Sequence, residues 1–288
     1  MTAEPVHFKT LNAPLQDVQQ NVDARGVVLD AVGISRFDLP LVVVQKDGAH
    51  QRVTASIDLS VGLKATAKGA HLSRFVAQLA EWHASTETLC YDLRRFLTET
   101  CALQSSETAS SDSAHVEMRF KYFVPKAAPV SKLVAPMAYD TVFKASLTPE
   151  QGYRFALGLT VPVSTLCPCS KAISEFGAHN QRAEISVMLD LPSDDDTMPV
   201  LWIEDLIEGL EAQGSCAVYP MLKRVDEKWV TERQYTNAKF VEDVARDVTL
   251  YLREVGKAGN ISGFSLQIEA LESIHGHNAF ARHAEVMP

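Results

Sequence analysis

The sequence predicts an α+β protein made of two tandem ββααββ units, with antiparallel sheets and helices on one face. Three observations predict it. Apolar and polar residues alternate at period two over several long segments. A strand with one apolar and one polar face belongs to an antiparallel sheet, not to a doubly buried parallel one. Segments with apolar residues at helical spacing lie between these strands. Finally, the order strand, strand, helix, helix, strand, strand occurs twice, over roughly 38–147 and 151–287, so a duplicated unit is the economical account.

The elements follow in order. Residues 51–63 place Val53, Ala55, Ile57, Leu59, Val61 and Leu63 on one face, with Arg52, Thr54, Ser56, Asp58 and Ser60 on the other. Helices are predicted over 72–82, from Phe75, Val76, Leu79 and Ala80, and over 85–102, from Leu89, Leu93, Phe96 and Leu97. A Ser/Thr/Glu/Asp-rich break at 104–113 precedes a strand over 116–124, where Val116, Met118, Phe120, Tyr122 and Val124 alternate with Glu117, Arg119 and Lys121. Pro125, Pro129 and Pro136 mark 125–136 as a second break.

Strands recur over 153–163 (Tyr153, Phe155, Leu157, Leu159, Val161, Val163), 183–191 (Ala183, Ile185, Val187, Leu189, Leu191) and 264–270 (Phe264, Leu266, Ile268, Ala270). The run Asp194-Asp195-Asp196 between Pro192 and Pro199 reads as a solvated turn, because like charges repel and stay wet. Helices are predicted over 201–212 and 238–255, the second stopped by Gly256 and Gly259. The expected units span 1–147 and 148–288. Helices can cover only one face of such a sheet. The polar faces can line a barrel or tunnel if sheets join edge to edge, which would also remove exposed edges.

Composition narrows the function. The chain has 288 residues, 46% of them hydrophobic, five cysteines and a formal charge of −9. That is enough chain for a core without disulfides. No apolar run approaches the roughly 20 residues that span a bilayer. The opening Met1-Thr2-Ala3-Glu4-Pro5 lacks a basic segment followed by an apolar one, so a cytoplasmic protein is expected. The acidic balance argues against nucleic-acid binding, while a local pocket can still accept an anionic small molecule.

The most unusual stretch is Leu166-Cys167-Pro168-Cys169-Ser170-Lys171, followed by Gly177-Ala178-His179-Asn180-Gln181-Arg182, in the connection between two strands. Functional side chains concentrate on such loops. Cysteine and histidine there suit a borderline metal such as zinc. By spacing alone, a nucleophilic cysteine or two unremarkable thiols fit as well. Lys223-Arg224-Val225-Asp226-Glu227-Lys228 reads either as a functional group or as a mixed-charge surface loop. Glu272-Ser273-Ile274-His275-Gly276-His277-Asn278 carries a His-x-His pair suited to metal binding or to acid–base work near neutral pH, or it is a solvated turn. Glu242 opens the long helix, where a carboxylate also favours the helix N-terminus. Gly69-Ala70-His71 repeats the letters of Gly177-Ala178-His179, but one precedes a helix and the other a strand, so they are not equivalent positions.

These runs, with Phe240-Val241-Glu242-Asp243 and Lys68-Gly69-Ala70-His71-Leu72-Ser73-Arg74-Phe75, resemble GTP cyclohydrolase type IB. The resemblance covers essentially the whole chain, with the motifs in the right order. It implies a tunnelling fold with two units per chain, homotetramers with sites near subunit interfaces, and conversion of GTP and water to formate and 7,8-dihydroneopterin triphosphate. Residue by residue, it implies Cys167, His179 and Glu227 as ligands of one divalent metal ion, whether zinc, manganese or ferrous iron. Glu242 is implied as the anchor of the guanine edge, and His275 and His277 as the histidines near the reacting ring. Cys169 is not expected to bind the metal. Lys171, Arg182, Lys68 and Arg74 are candidates for the triphosphate. The competing readings are a nitrile reductase of the same fold with Cys167 as nucleophile, a noncatalytic purine- or pterin-binding module, and a redox-responsive structural protein using Cys167 and Cys169.

Overall fold

The computed structural model describes residue 19 and residues 21–85, 92–105, 111–192 and 201–287. In its first half, β1 (Leu29–Val44) and β2 (His50–Leu63) precede α1 (Leu72–Ser85) and α2 (Asp92–Gln104), and β3 (Ala114–Ala127) and β4 (Val134–Thr148) follow. The second half runs β5 (Gly152–Leu166), α3 (Pro168–Ile173), β6 (Asn180–Leu191), α4 (Ile203–Glu211), β7 (Cys216–Ala217), α5 (Arg224–Thr236), α6 (Val241–Lys257), β8 (Gly263–Ala270) and β9 (Ala279–Val286). Leu89, Asp194–Asp196 and the opening residues lie outside the described residues.

The expected ββααββ order is present twice; in the second copy α4 and α6 are the two expected helices, and α3, β7 and α5 are additions. All strands form one antiparallel sheet in the order β1-β2-β3-β4-β5-β6-β8-β9, with β7 on β5. The two halves therefore join through β4–β5, across a tight turn at 149–151. Helices cover one face. There the predicted apolar sets of β2, β5, β6 and β8 are buried with Phe75, Leu79, Phe96, Leu97, Leu206, Val244, Val248 and Leu252. The other face keeps polar cross-strand pairs such as Lys121–Asp140, 2.6 Å apart, and forms a hollow of about 560 Å³ lined by Asp140, Thr160, Ser186, Gln267 and Arg282. Among the described residues, no helix is long and apolar enough to cross a membrane.

Four details differ from the sequence reading. β1 begins at Leu29 but contains two register shifts, one between Ile34 and Phe37 where Arg36 has φ 56°. Such bulges scramble alternation, and Pro40 is tolerated because β1 is an edge strand. The break at 125–136 shrinks to 128–133, with Pro125 and Pro136 facing each other across β3 and β4. Pairing of β3 with β2 ends at Arg119, so the far end of β3 has one neighbour and can hold a proline. The stretch 167–179 is not all loop, since it contains α3. Residues 224–236 are helical, although among them only Asp226 and Gln234 are buried; no apolar stripe marks this helix in the sequence.

Polar contacts fasten α4 to the strands of the first half. The Tyr122 hydroxyl donates to Glu204 at 2.7 Å and the Tyr139 hydroxyl to Glu211 at 2.8 Å. Lys126 also pairs with Glu211. Burial, reinforced by Glu211, pushes the Tyr139 phenol well above its usual range, so it remains a donor.

Candidate functional site

β5 and β6 pair up to Leu166 and Asn180, which sets the mouth of their connection. Across that mouth the Cys167 N–H donates to the His179 carbonyl at 3.1 Å. Pro168 begins α3, where a missing N–H costs nothing. Cys167 is the N-cap, its Sγ accepting from the Ser170 N–H at 3.4 Å. The Ser170 hydroxyl donates to the Cys167 carbonyl at 3.1 Å and accepts from the His179 N–H at 3.2 Å. Gly177 makes the return turn at φ 120°, a conformation that favours glycine. Cys167 and His179 are thus opposed on a fixed frame; both are half-buried, while Cys169 is exposed.

The His179 ring is held by a chain of polar contacts. Gln181 donates its amide Nε2 to the Thr165 hydroxyl at 3.1 Å, and its Oε1 lies 3.0 Å from His179 Nδ1. An amide oxygen only accepts, so in this orientation Nδ1 carries a proton, and a neutral ring then has its lone pair on Nε2. That is the arrangement a metal-ligating histidine needs.

The β8–β9 turn arrives beside this mouth because β6 pairs with β8 up to Ala183 and Ala270, and the Leu271 N–H then donates to the Arg182 carbonyl at 2.8 Å. His275 meets His179 edge-on at 6.5 Å, and His277 stacks on His275 at 5.3 Å. In the same turn, Glu272 has a carboxylate oxygen shut from solvent with no hydrogen-bond partner among the described residues.

The remaining candidates are spread out. Glu227 is exposed in the first turn of α5. Among the described residues, no three His, Cys, Asp or Glu side chains converge as a metal would require. The chain thus opposes Cys167 and His179 and sets His275 and His277 beside them, without closing a three-ligand cluster on Glu227. The thiol, the oriented imidazole and an exposed carboxylate nevertheless suit a borderline divalent ion. Glu242 lies in the first turn of α6, whose start is docked near β5 by the Lys239 N–H on the Leu166 carbonyl at 3.1 Å. It borders a groove of about 500 Å³ between α6 and β9, shared with Arg246, Arg282 and His283.

Three of the four triphosphate candidates have work inside the chain. Lys171 donates to the Tyr235 carbonyl and sits 4.5 Å over that ring, tying α3 to the end of α5. Lys68 pairs with Asp23 at 3.3 Å, and Arg74 donates to the Leu103 carbonyl at 2.6 Å. Arg182 is exposed, and among the described residues its guanidinium has no partner within the chain.

Sequence reasoning missed Gln181 and Asp226. Gln181 carried a signal, since residues i and i+2 of a strand share a face. Asp226 is fully buried in the first turn of α5. Burial raises its pKa, but hydrogen bonds from Ser131, Lys223 and Val130 outweigh that and hold the carboxyl well below the usual range.

Comparison with known proteins places these features in context. Residues 15–281 match the family described as GCHY-1, type I GTP cyclohydrolase folE2. A GTP cyclohydrolase FolE2 of Geobacter sp. (strain M21) is 42% identical over 93% of each chain. One from Nitrosomonas eutropha is 39% identical over 95% of this chain and 96% of its own. Among solved structures, uricase from Arthrobacter globiformis is similar with a TM-score of 0.50 at 9% identity, covering 90% of this chain and 95% of its own, a likeness of fold alone.

Proposed function

The chain belongs to the type I GTP cyclohydrolase folE2 family, and from that premise we propose that GTP is opened at the mouth formed by Cys167 and His179. The protein is a GTP cyclohydrolase of type IB, a hydrolase that converts GTP and water to formate and 7,8-dihydroneopterin triphosphate, the first step of tetrahydrofolate synthesis. The observation that carries the location is the opposed Cys167 and His179 with the stacked His275–His277 pair beside them.

Opening the imidazole ring requires water to attack C8 of the purine, a weak electrophile. In our reading Cys167, His179 and Glu227 hold one divalent ion, and zinc, manganese and ferrous iron all suit this sulfur, nitrogen and oxygen set. When bound, that ion supplies a water acidified toward neutrality. His179 is oriented for it by Gln181. His275 and His277 protonate the leaving ring nitrogen and carry protons through formate release and ring closure. Glu242 accepts two hydrogen bonds from the guanine N–H groups and rejects purines that lack those donors, because its carboxylate would be left unpaired.

Of the four cations, Arg182 is the best candidate for the triphosphate, since Lys171, Lys68 and Arg74 are engaged within the chain. Among the described residues the sheet ends in β1 and β9, each with one strand neighbour and an open outer edge, which supports assembly into a homotetramer with sites near subunit interfaces. Units of 1–147 and 148–288, meeting near the β4–β5 turn, and a cytoplasmic location complete the reading.

Purified protein incubated with GTP and manganese, zinc or ferrous ion should release formate and a product that fluoresces after oxidation. NADPH consumption with a deazapurine nitrile, and no formate, would refute the assignment. Metal analysis of protein isolated without added metal identifies the ion.

A further inference from the structure

The helix carrying Glu227 is fastened by the other half of the chain. The β3–β4 hairpin turns at 128–133, closed by the Ala128 N–H on the Leu133 carbonyl at 2.8 Å and passing through Lys132 at φ 59°. Two successive backbone N–H groups at its tip, from Val130 and Ser131, point at one oxygen of Asp226, each at 2.8 Å. The Ser131 hydroxyl donates to the other oxygen at 2.6 Å, and the Lys223 N–H reaches that oxygen at 2.8 Å. Adjacent N–H groups arranged this way form an anion-binding nest.

Capping α5 needs only the Lys223 contact. The other three bonds do something more: they cross to a hairpin 95 and 96 residues earlier in the chain. α5 has little else to hold its first turn. Its buried residues are Asp226 and Gln234, while Val225 is 55% exposed and Trp229 39%. Apolar burial, the usual anchor of a helix on a sheet, is therefore weak here. The far end of α5 is fixed separately, by Lys171 on the Tyr235 carbonyl and by Asn237 on the Gly214 and Ser215 carbonyls.

We propose that Asp226 is a positioning residue: seated in the β3–β4 hairpin, it fixes the first turn of α5 and so presents the neighbouring Glu227 to the metal. This rests on the reading of Glu227 as a ligand. It gives the first half a share in a site whose other residues lie in the second half, because the hairpin acts on the metal through one buried carboxylate.

The test measures Mn²⁺ affinity of the metal-stripped full-length protein by competition with a chelating dye, alongside the Tm without metal. Asp226→Asn should weaken Mn²⁺ binding about 10–100-fold, the usual effect of losing a group that orients a ligand. Ser131→Ala, which leaves both backbone donors, should weaken it several-fold. Asp226→Asn combined with Glu227→Gln should bind no worse than Glu227→Gln alone, because groups that act through one another are not additive. Tyr122→Phe, which removes the Glu204 bond and leaves α5 alone, should lower Tm without changing Mn²⁺ affinity. Wild-type affinity in both Asp226→Asn and Ser131→Ala overturns the proposal, as do losses that multiply in the double variant. If Asp226→Asn does not fold, Ser131→Ala decides alone. If Glu227→Gln and Cys167→Ala both bind Mn²⁺ like wild type, the metal assignment itself fails and takes the proposal with it.

Discussion

The first two strands of each half are joined differently. β1 and β2 meet through a short turn, closed by the Gln45 N–H on the Ala49 carbonyl at 2.8 Å, with Gly48 at φ 83°. β5 and β6 are joined by the longer 167–179 segment, which inserts α3 and sets Cys167 against His179. The last two strands differ in the same way. The β3–β4 turn holds the Asp226 carboxylate, whereas the β8–β9 turn carries His275 and His277. The helices differ in one member: α4 and α6 bury apolar residues as α1 and α2 do, while α5 buries only Asp226 and Gln234. One sheet thus supports two sets of connections, one shaped by packing and the other by chemistry. Rigid strands permit this, because loop residues can change without disturbing the ladder.

The sharpest way to break this contrast is to alter equivalent connections. Cys167→Ala should abolish formate release, a loss of at least about 10³-fold if the metal supplies the acidified water. Asp47→Ala, in the β1–β2 turn, should leave kcat/KM within about two-fold, as exposed substitutions usually do. A folded Cys167→Ala protein with full activity would mean that the long loop is not where the two halves diverge in function.

A smaller effect should come from the support beneath that loop. Gln181→Leu removes the acceptor from His179 Nδ1 and frees the ring to turn or to carry its proton on the other nitrogen. Metal affinity should fall about 10–100-fold, with Tm nearly unchanged. An unaltered affinity would show that the backbone frame around Ser170 suffices to aim the imidazole.

Much of this contrast is legible in the amino-acid sequence. Period-two alternation located β2, β3, β5, β6 and β8, since each has one face on the core. Helical spacing located α1 and α6 for the same reason. The legible signal is burial, so elements that bury little were hard to see. α5 has no apolar stripe, and β1 is bent by bulges at an edge where Pro40 is allowed. Pro125 and Pro136 looked like loop punctuation, yet they face each other on strands with an open side. The site motifs stood out as residue types, but not their supports. The Gln181–Thr165 link depends on β5–β6 register, and the Asp226 nest on a hairpin far away in sequence. Pairing partners of that kind emerge only from the assembled sheet.

The seam between the halves gives a third prediction, confined to stability. Tyr139→Phe removes the hydroxyl that donates to Glu211 and leaves Lys126 as that carboxylate's partner. Loss of a buried hydrogen bond to a charged group should cost about 1.5–3 kcal/mol in urea unfolding. kcat/KM should hold, because α4 carries none of the proposed site residues. A large fall in kcat/KM without loss of stability would mean that the seam transmits to the site and that the halves are less separable than their loops suggest.

The smallest effect concerns a charge that serves the scaffold alone. Asp58 on β2 accepts from the Arg36 N–H at 2.8 Å and from Arg119 at 3.0 Å, and so holds the bulge in β1. β5, the corresponding strand of the second half, pairs with β6 without a register shift and needs no such clasp. The Arg36 N–H lowers the Asp58 pKa most; burial opposes it, and Arg119 adds to the lowering. A carboxyl depressed in the folded state stabilises above its unfolded value, about 3.9, and that contribution disappears as pH falls through the lower folded value. The urea midpoint of Asp58→Ala should therefore lie below wild type at pH 6, and the gap should narrow steadily from pH 4 to pH 3. Because Asp58 is partly exposed and screened, the gap should be modest, and turnover at pH 7 should be unchanged. A gap that widens on acidification would reverse the sign of this linkage and remove the carboxylate clasp as the reason the β1 bulge persists.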